Sequence, residues 1–85
     1  MSHEDTILAQ IDEHVREVCE IEDDPDYSVD TNLFDNGYMD SLEGAELILY
    51  LEGLFGIEIT QKDIVMYSMT TVREIADVVR MKTER

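Results

Sequence analysis

Near the start of the chain, apolar residues recur at the intervals of a helix face. Between Thr6 and about Ile21 they are Ile7, Leu8, Ile11, Val15, Val18 and Cys19, with acids on the opposite side. This spacing predicts a first helix, preceded by a frayed lead-in over Met1 to Asp5. Pro25 cannot continue it, because proline has no amide to donate and its ring clashes with the preceding turn. From Asp26 to Met39 the periodicity is lost. Unstructured connections of that length are uncommon in small domains unless they are functional or tied down. Leu33 and Phe34 are the apolar pair inside it and are expected to plug the core. Asp35-Asn36-Gly37 reads as a turn, with Gly37 free to take positive φ.

Periodicity returns from about Ser41 to Phe55. Leu47, Ile48, Leu51, Leu54 and Phe55 fall on one broad side of a second helix, with Gly44 among them. Gly56 is a natural C-cap. Ile57-Glu58-Ile59 is too short for a strand and is expected to run extended, isoleucines inward. Thr60 to about Tyr67 predicts a short helix with Ile64 and Val65 facing the core. Thr71 and Glu74 make a capping box for a last helix, whose Val72, Ile75, Ala76 and Val79 share one face. That helix is expected to end near Met81, where Arg80, Lys82 and Arg85 suit a helix C-terminus. The fold class is therefore all-α: a small four-helix bundle, three main helices and a short one, in a single domain over residues 1–85.

The other side of the second helix is mixed. Glu43, Glu46 and Glu52 alternate with Leu42, Ala45 and Leu49. Apolar anchors fringed by carboxylates suit a protein-binding surface better than a merely solvated face. Charge supports this. The 85 residues hold 21 acids and 6 bases, a formal charge of −15. Phosphate backbones and anionic membrane surfaces would be repelled; proteins with basic patches would be drawn in. Cys19 stands alone, which excludes an internal disulfide and a paired-cysteine metal site, and fits a reducing cytoplasmic setting. No signal-peptide pattern or membrane-length apolar run is seen.

The candidate chemistry lies at Asp40-Ser41-Leu42, where the loop meets the second helix. Asp40 and Glu43 have capping-box spacing, with Asp in the usual Ser/Thr position. That puts Ser41 in the first turn, its hydroxyl outward, beside free backbone amides that favour an attached anion. Such a serine is well placed to hold a phosphate. It has no obvious base nearby in sequence, so an enzyme is not expected; His14 reads as a boundary residue and Cys19 as a small buried hydrophobe. Met39 and Met66 read as gap fillers or as flanks of whatever Ser41 carries. Tyr38 and Tyr50 fit packing and partner contact equally. A calcium loop from Asp30 fails its pattern: the fifth, sixth and twelfth positions are Phe34, Asp35 and Ser41.

Over Leu33-Phe34-Asp35-Asn36-Gly37-Tyr38-Met39-Asp40-Ser41-Leu42 the sequence resembles the acyl carrier and peptidyl carrier proteins. The likeness continues through Glu46-Leu47, Phe55, Ile57-Glu58-Ile59 and Thr70-Thr71-Val72. It implies that Ser41 is esterified by 4′-phosphopantetheine, transferred from coenzyme A by a magnesium-dependent phosphopantetheinyl transferase. The arm's thiol would then carry an acyl or aminoacyl thioester to loading and downstream biosynthetic enzymes with basic docking patches. Asp40, Leu42, Glu43, Ala45, Glu46, Leu49 and Glu52 are the partner-binding positions this implies, on a discrete, monomeric carrier. Fatty-acid-type carriers usually have one residue between the glycine and Asp-Ser; here there are two, Tyr38 and Met39. That spacing is similar to D-alanyl carriers and to several freestanding carriers of secondary metabolism, and it argues against housekeeping fatty-acid synthesis; an aminoacyl cargo is the runner-up. The alternative of another class is an acidic interaction adaptor that keeps the fold without the cofactor.

Overall fold

Four helices form in the order α1 (His3–Val18), α2 (Ser41–Phe55), α3 (Gln61–Tyr67) and α4 (Val72–Thr83). They were obtained as a computed structural model, which describes residues 3–84. Among the described residues there is no strand. α1 begins at His3, so the expected lead-in is helical from there on; Met1, Ser2 and Arg85 lie outside the described residues.

Helical spacing brings Ile7, Ile11 and Val15 of α1 against Val72, Ile75, Ala76, Val78 and Val79 of α4, all buried. These two helices make the closest pair, and Leu47 and Leu51 of α2 complete the core they share. The connections supply the rest: Ile21, Tyr27, Leu33, Met39, Ile59 and Met69 are buried too. Ile57 and Ile59 pack inward from extended backbone, as expected.

Every helix after α1 starts with a capping box, and each uses a carboxylate. Asp40 and Glu43 cap α2, Thr60 and Asp63 cap α3, Thr71 and Glu74 cap α4. Such reciprocal bonds satisfy amides that a helix start leaves orphaned. Burial pushes the Glu74 carboxyl up, but amide and hydroxyl bonds from Thr70 and Thr71 outweigh it and hold the group below its usual range. Asp63 is held down to about 2, first by Lys82 and then by the Thr60 amide. The Lys82 Nζ lies 2.8 Å from the Asp63 carboxylate, which ties the short α3 to α4.

Four expectations are corrected. α1 stops at Val18 rather than running to Ile21. The Ile21 amide donates to the Arg16 carbonyl at 2.8 Å and the Glu20 amide to that of Glu17 at 3.3 Å, a closing turn that requires a left-handed residue. Glu20 takes that place, with φ 55°. Val18 and Leu54 are exposed although their spacing placed them on core-facing sides, because each lines a depression between α1 and α2, which do not approach closely. Val65 is 81% exposed: α3 buries no residue, and only Ile64 packs against the core. Phe34 lies outside the core, leaving Leu33 as the plug.

A glycine at position 20 would adopt the left-handed conformation without the Cβ clash that glutamate bears. Glu20→Gly is expected to raise stability by about 0.5–1 kcal/mol, read as a higher denaturant midpoint at unchanged slope.

Candidate functional site

The connection from α1 to α2 is long, yet it is held at many points. Its first half bends through side-chain turns. The Asp24 carboxylate accepts from the Asp26 amide at 2.8 Å, and the Asn32 side-chain Oδ1 accepts from the amides of Phe34 and Asp35 at 3.0 and 2.9 Å. Tyr27 folds back onto α1, where its hydroxyl donates to Asp12 at 2.5 Å and the Arg16 guanidinium sits 4.6 Å from its ring centroid. The Tyr38 ring meets Tyr27 edge-on at 5.7 Å, and its hydroxyl donates to Asp24 at 2.7 Å. Both phenols are pushed up, Tyr27 chiefly by burial and Tyr38, to about 12, chiefly by the Asp24 bond. The question left open for Tyr38 is settled: it is a latch closing the loop.

Across the molecule the loop is stitched to α4. The Leu33 amide donates to the Thr70 carbonyl at 2.8 Å, the Arg73 amide donates to the Val29 carbonyl at 2.9 Å, and the Arg73 Nε lies 2.6 Å from the Asp30 carboxylate. The Leu33 carbonyl accepts from both Tyr38 and Met39. Gly37, at φ 76°, makes that reversal possible. Met39 is consequently buried, a gap filler, while Met66 on α3 is exposed.

This brings the chain to Asp40 in extended backbone, φ −104° and ψ −177°. Its carboxylate accepts from the Glu43 amide at 2.8 Å, and the Glu43 carboxylate accepts from the Asp40 amide at 3.2 Å. Ser41 is the first residue of α2 and is exposed. Among the described residues no hydrogen bond engages its hydroxyl, and none joins it to His14. The His14 ring instead stacks on Tyr50, centroids 3.7 Å apart and planes within 2°. Cys19 is half-buried, and its thiol is pushed up by burial and by the nearby Glu43 charge, which makes it a poor nucleophile.

Two clefts flank α2 and share Leu47. One, of about 410 Å³, reaches from Ser41 under α2 toward α3 and is walled by Ala45, Ile48, Ile64, Met69 and Ile75. The Phe34 ring roofs it by lying on Gly44, where an added Cβ would fall 3.0 Å from two ring carbons. Its far rim is strained. The Met69 amide donates back to the Tyr67 carbonyl at 2.7 Å across Ser68, and both Ser68 (φ 66°) and Met69 (φ 44°) are left-handed without being glycine. Nothing in Tyr67-Ser68-Met69-Thr70 announces this turn. The second cleft, of about 430 Å³, lies on the α1 side. A larger open depression, about 660 Å³, runs beside α4 from Tyr67 to Glu84 and does not include Ser41.

The expected partner strip is placed as follows. Leu42 and Leu49 are each 68% exposed, and Asp40, Ala45 and Glu46 are exposed beside them. Glu43 is half-buried in the capping box. Glu52 is drawn inward: its carboxylate accepts from the Ile59 amide at 2.9 Å and fastens the link after α2. Glu52 is therefore a structural acceptor, which the outward-facing helical spacing did not reveal.

A family model described as a phosphopantetheine attachment site matches residues 9–79. No curated protein and no solved structure matches the chain. The residues present fit that group. An exposed hydroxyl with no internal partner opens a helix whose first-turn amides favour a phosphate.

The Tyr38 latch is testable by titration. Its folded-state pKa of about 12 lies above the ordinary 10, so its contribution is complete below pH 10 and is lost as the pH rises through about 12. Ultraviolet phenolate absorbance should show Tyr38→Phe deleting one late-titrating tyrosine, and Asp24→Asn returning Tyr38 toward its ordinary range.

Proposed function

The chain belongs to the phosphopantetheine-attachment family, and from that premise we propose that Ser41 bears the 4′-phosphopantetheine arm and that the protein presents acyl or aminoacyl groups to biosynthetic enzymes. The single observation that carries this reading is the free Ser41 hydroxyl at the capped start of α2. When bound, the arm supplies a thiol that holds the cargo as a thioester. The chain's own residues do the rest.

Asp40 takes up the Glu43 amide and leaves the earlier amides of the turn facing outward. A phosphodiester on Ser41 would sit against those amides and the positive end of α2. The Asp40–Glu43 capping box and the Leu33 anchor would hold the attachment point still, so that the arm swings from a fixed post. The apolar cleft beside Ser41 suits the tail of an acyl cargo. Leu42 and Leu49 provide apolar anchors for a partner, with Ala45 between them. Asp40 and Glu46 supply charge at the rim, and Glu43 adds to it from within its cap. Exposed pairs of that kind contribute only about 0.2–1 kcal/mol each. Weak, salt-sensitive contacts suit a carrier that must release each enzyme in turn. Among the described residues no base is hydrogen-bonded to the Ser41 hydroxyl, which supports a tether over a reagent, and the chemistry of the cargo falls to the partners. Within this reading, the two residues between Gly37 and Asp40 argue against housekeeping fatty-acid synthesis and keep an aminoacyl cargo as the runner-up.

Ser41→Ala should abolish the mass increment gained on incubation with coenzyme A and a broad-specificity phosphopantetheinyl transferase, with helical circular dichroism unchanged. Intact-mass spectrometry checks this, and an increment on the alanine variant would refute the assignment. Leu49→Ser should leave stability within about 0.5 kcal/mol. Its apparent affinity for the loading enzyme should fall about 5- to 30-fold, as loss of an apolar anchor implies.

A further inference from the structure

The two clefts beside α2 differ in chemistry. The one toward α3 is walled by aliphatic side chains and the Phe34 ring. The one toward α1 has an apolar floor of Val15, Met39 and Leu47 and a rim of Glu43, Glu46 and the His14–Tyr50 stack. No Lys or Arg lines it. Glu13 and Glu17 flank His14 on its outer side, in an adjoining depression that also touches Tyr50. Among the described residues, no Cα of α1 comes within 8 Å of one in α2, so side chains alone bridge this gap. The Glu43 charge is felt across it at Cys19 of the α1 end.

We propose that this second cleft is a berth for the amino group of an aminoacyl cargo carried on the Ser41 arm. The proposal rests on the carrier reading and extends it to the class of cargo. Charge complementarity argues for the occupant. A primary ammonium would meet the Glu46 carboxylate, the remaining capacity of Glu43 and the Tyr50 ring, all of which favour a cation. A neutral acyl group gains none of these contacts and is served better by the aliphatic cleft. A cargo ending in a carboxylate would be repelled by the acids on both helices.

Reach allows the placement. At about 1.5 Å per residue, Glu46 lies about 7.5 Å and Tyr50 about 13.5 Å along α2 from Ser41. An arm long enough to enter another enzyme's active site spans that distance. The volume of about 430 Å³ is ample for a single amino-acid residue. The charge of the cargo thus decides on which side of α2 it rests, and a carrier resting its cargo on the α1 side leaves Leu42 and Leu49 uncovered for the next enzyme.

The test compares three forms of the full chain, each loaded at Ser41 through a coenzyme A analogue with a hydrolysis-resistant amide link. They carry pantetheine alone, an alanyl group, or the isosteric but neutral isobutyryl group. Intact mass establishes loading, and amide chemical shifts locate the cargo. The alanyl form should shift His14, Val15, Glu46 and Tyr50 relative to the pantetheine form, while isobutyryl shifts Ile48, Ile64 and Met69 instead. Glu46→Gln and Tyr50→Leu should each lose the alanyl-specific shifts while isobutyryl shifts persist, which also shows that the variants are folded. Equal shifts for alanyl and isobutyryl, or alanyl shifts that survive Glu46→Gln, would overturn the berth and leave the carrier reading standing. Failure of Ser41 to accept pantetheine would overturn both.

Discussion

One buried leucine organises the approach to Ser41. Leu33 is fully enclosed. Its amide reaches the Thr70 carbonyl, and its carbonyl receives the amides of Tyr38 and Met39. A long loop costs little extra entropy to close once its ends are placed. Its interior must still be fixed if the residue that follows is to have a defined position. Leu33 does this by joining the loop to the start of α4 and by turning the chain at Gly37. Asp40 then arrives in extended backbone and caps α2. Remove that anchor and the capping box would form, if at all, on a helix free to drift from its core.

The acid surplus is put to structural use before any remains for partners. Asp40, Glu43, Asp63 and Glu74 serve as caps, Glu52 fastens the link after α2, and Asp12 and Asp24 accept from tyrosine hydroxyls. In each case a carboxylate replaces hydration with one or more donors aimed at it, which is the condition for keeping charge in a partly sheltered place. The scarce cations are spent locally as well: Arg16 on Asp12, Arg73 on Asp30, Lys82 on Asp63 and Arg80 on Asp77. The net charge of −15 leaves most of the acids without a cation of this chain to answer them.

α2 occupies the middle of every functional relation in the molecule. Its inner residues, Leu47 and Leu51, hold it to the core, and each flank opens a cleft. Its first residue carries the proposed tether. The strained turn at Ser68 and Met69 edges the aliphatic cleft, and such strain persists only where surrounding packing over-determines it. Here buried Met69 and the Leu33–Thr70 bond supply that restraint. The α1 flank is bridged by one aromatic stack. The two sides of the helix thus differ in how they are closed as well as in charge.

Much of this was already written in the sequence. The helical periods of Ile7, Ile11 and Val15, of Leu47 and Leu51, and of Val72, Ile75 and Val79 each mark a face. The capping boxes at Asp40–Glu43 and Thr71–Glu74 mark where two of the helices begin, and Asp40-Ser41-Leu42 with its flanks marks the attachment family. What the sequence by itself determined were the helices, the starts of the last three and the exposed serine, because these rest on contacts between residues a few positions apart. Only the tertiary structure decided that Phe34, Leu54 and Val65 lie outside, that Glu52 turns inward, and that Tyr38 latches onto Asp24. A period says which residues share a face, but not whether anything covers it. In so small a domain there is too little surface to cover every apolar face, so distant packing partners make that choice.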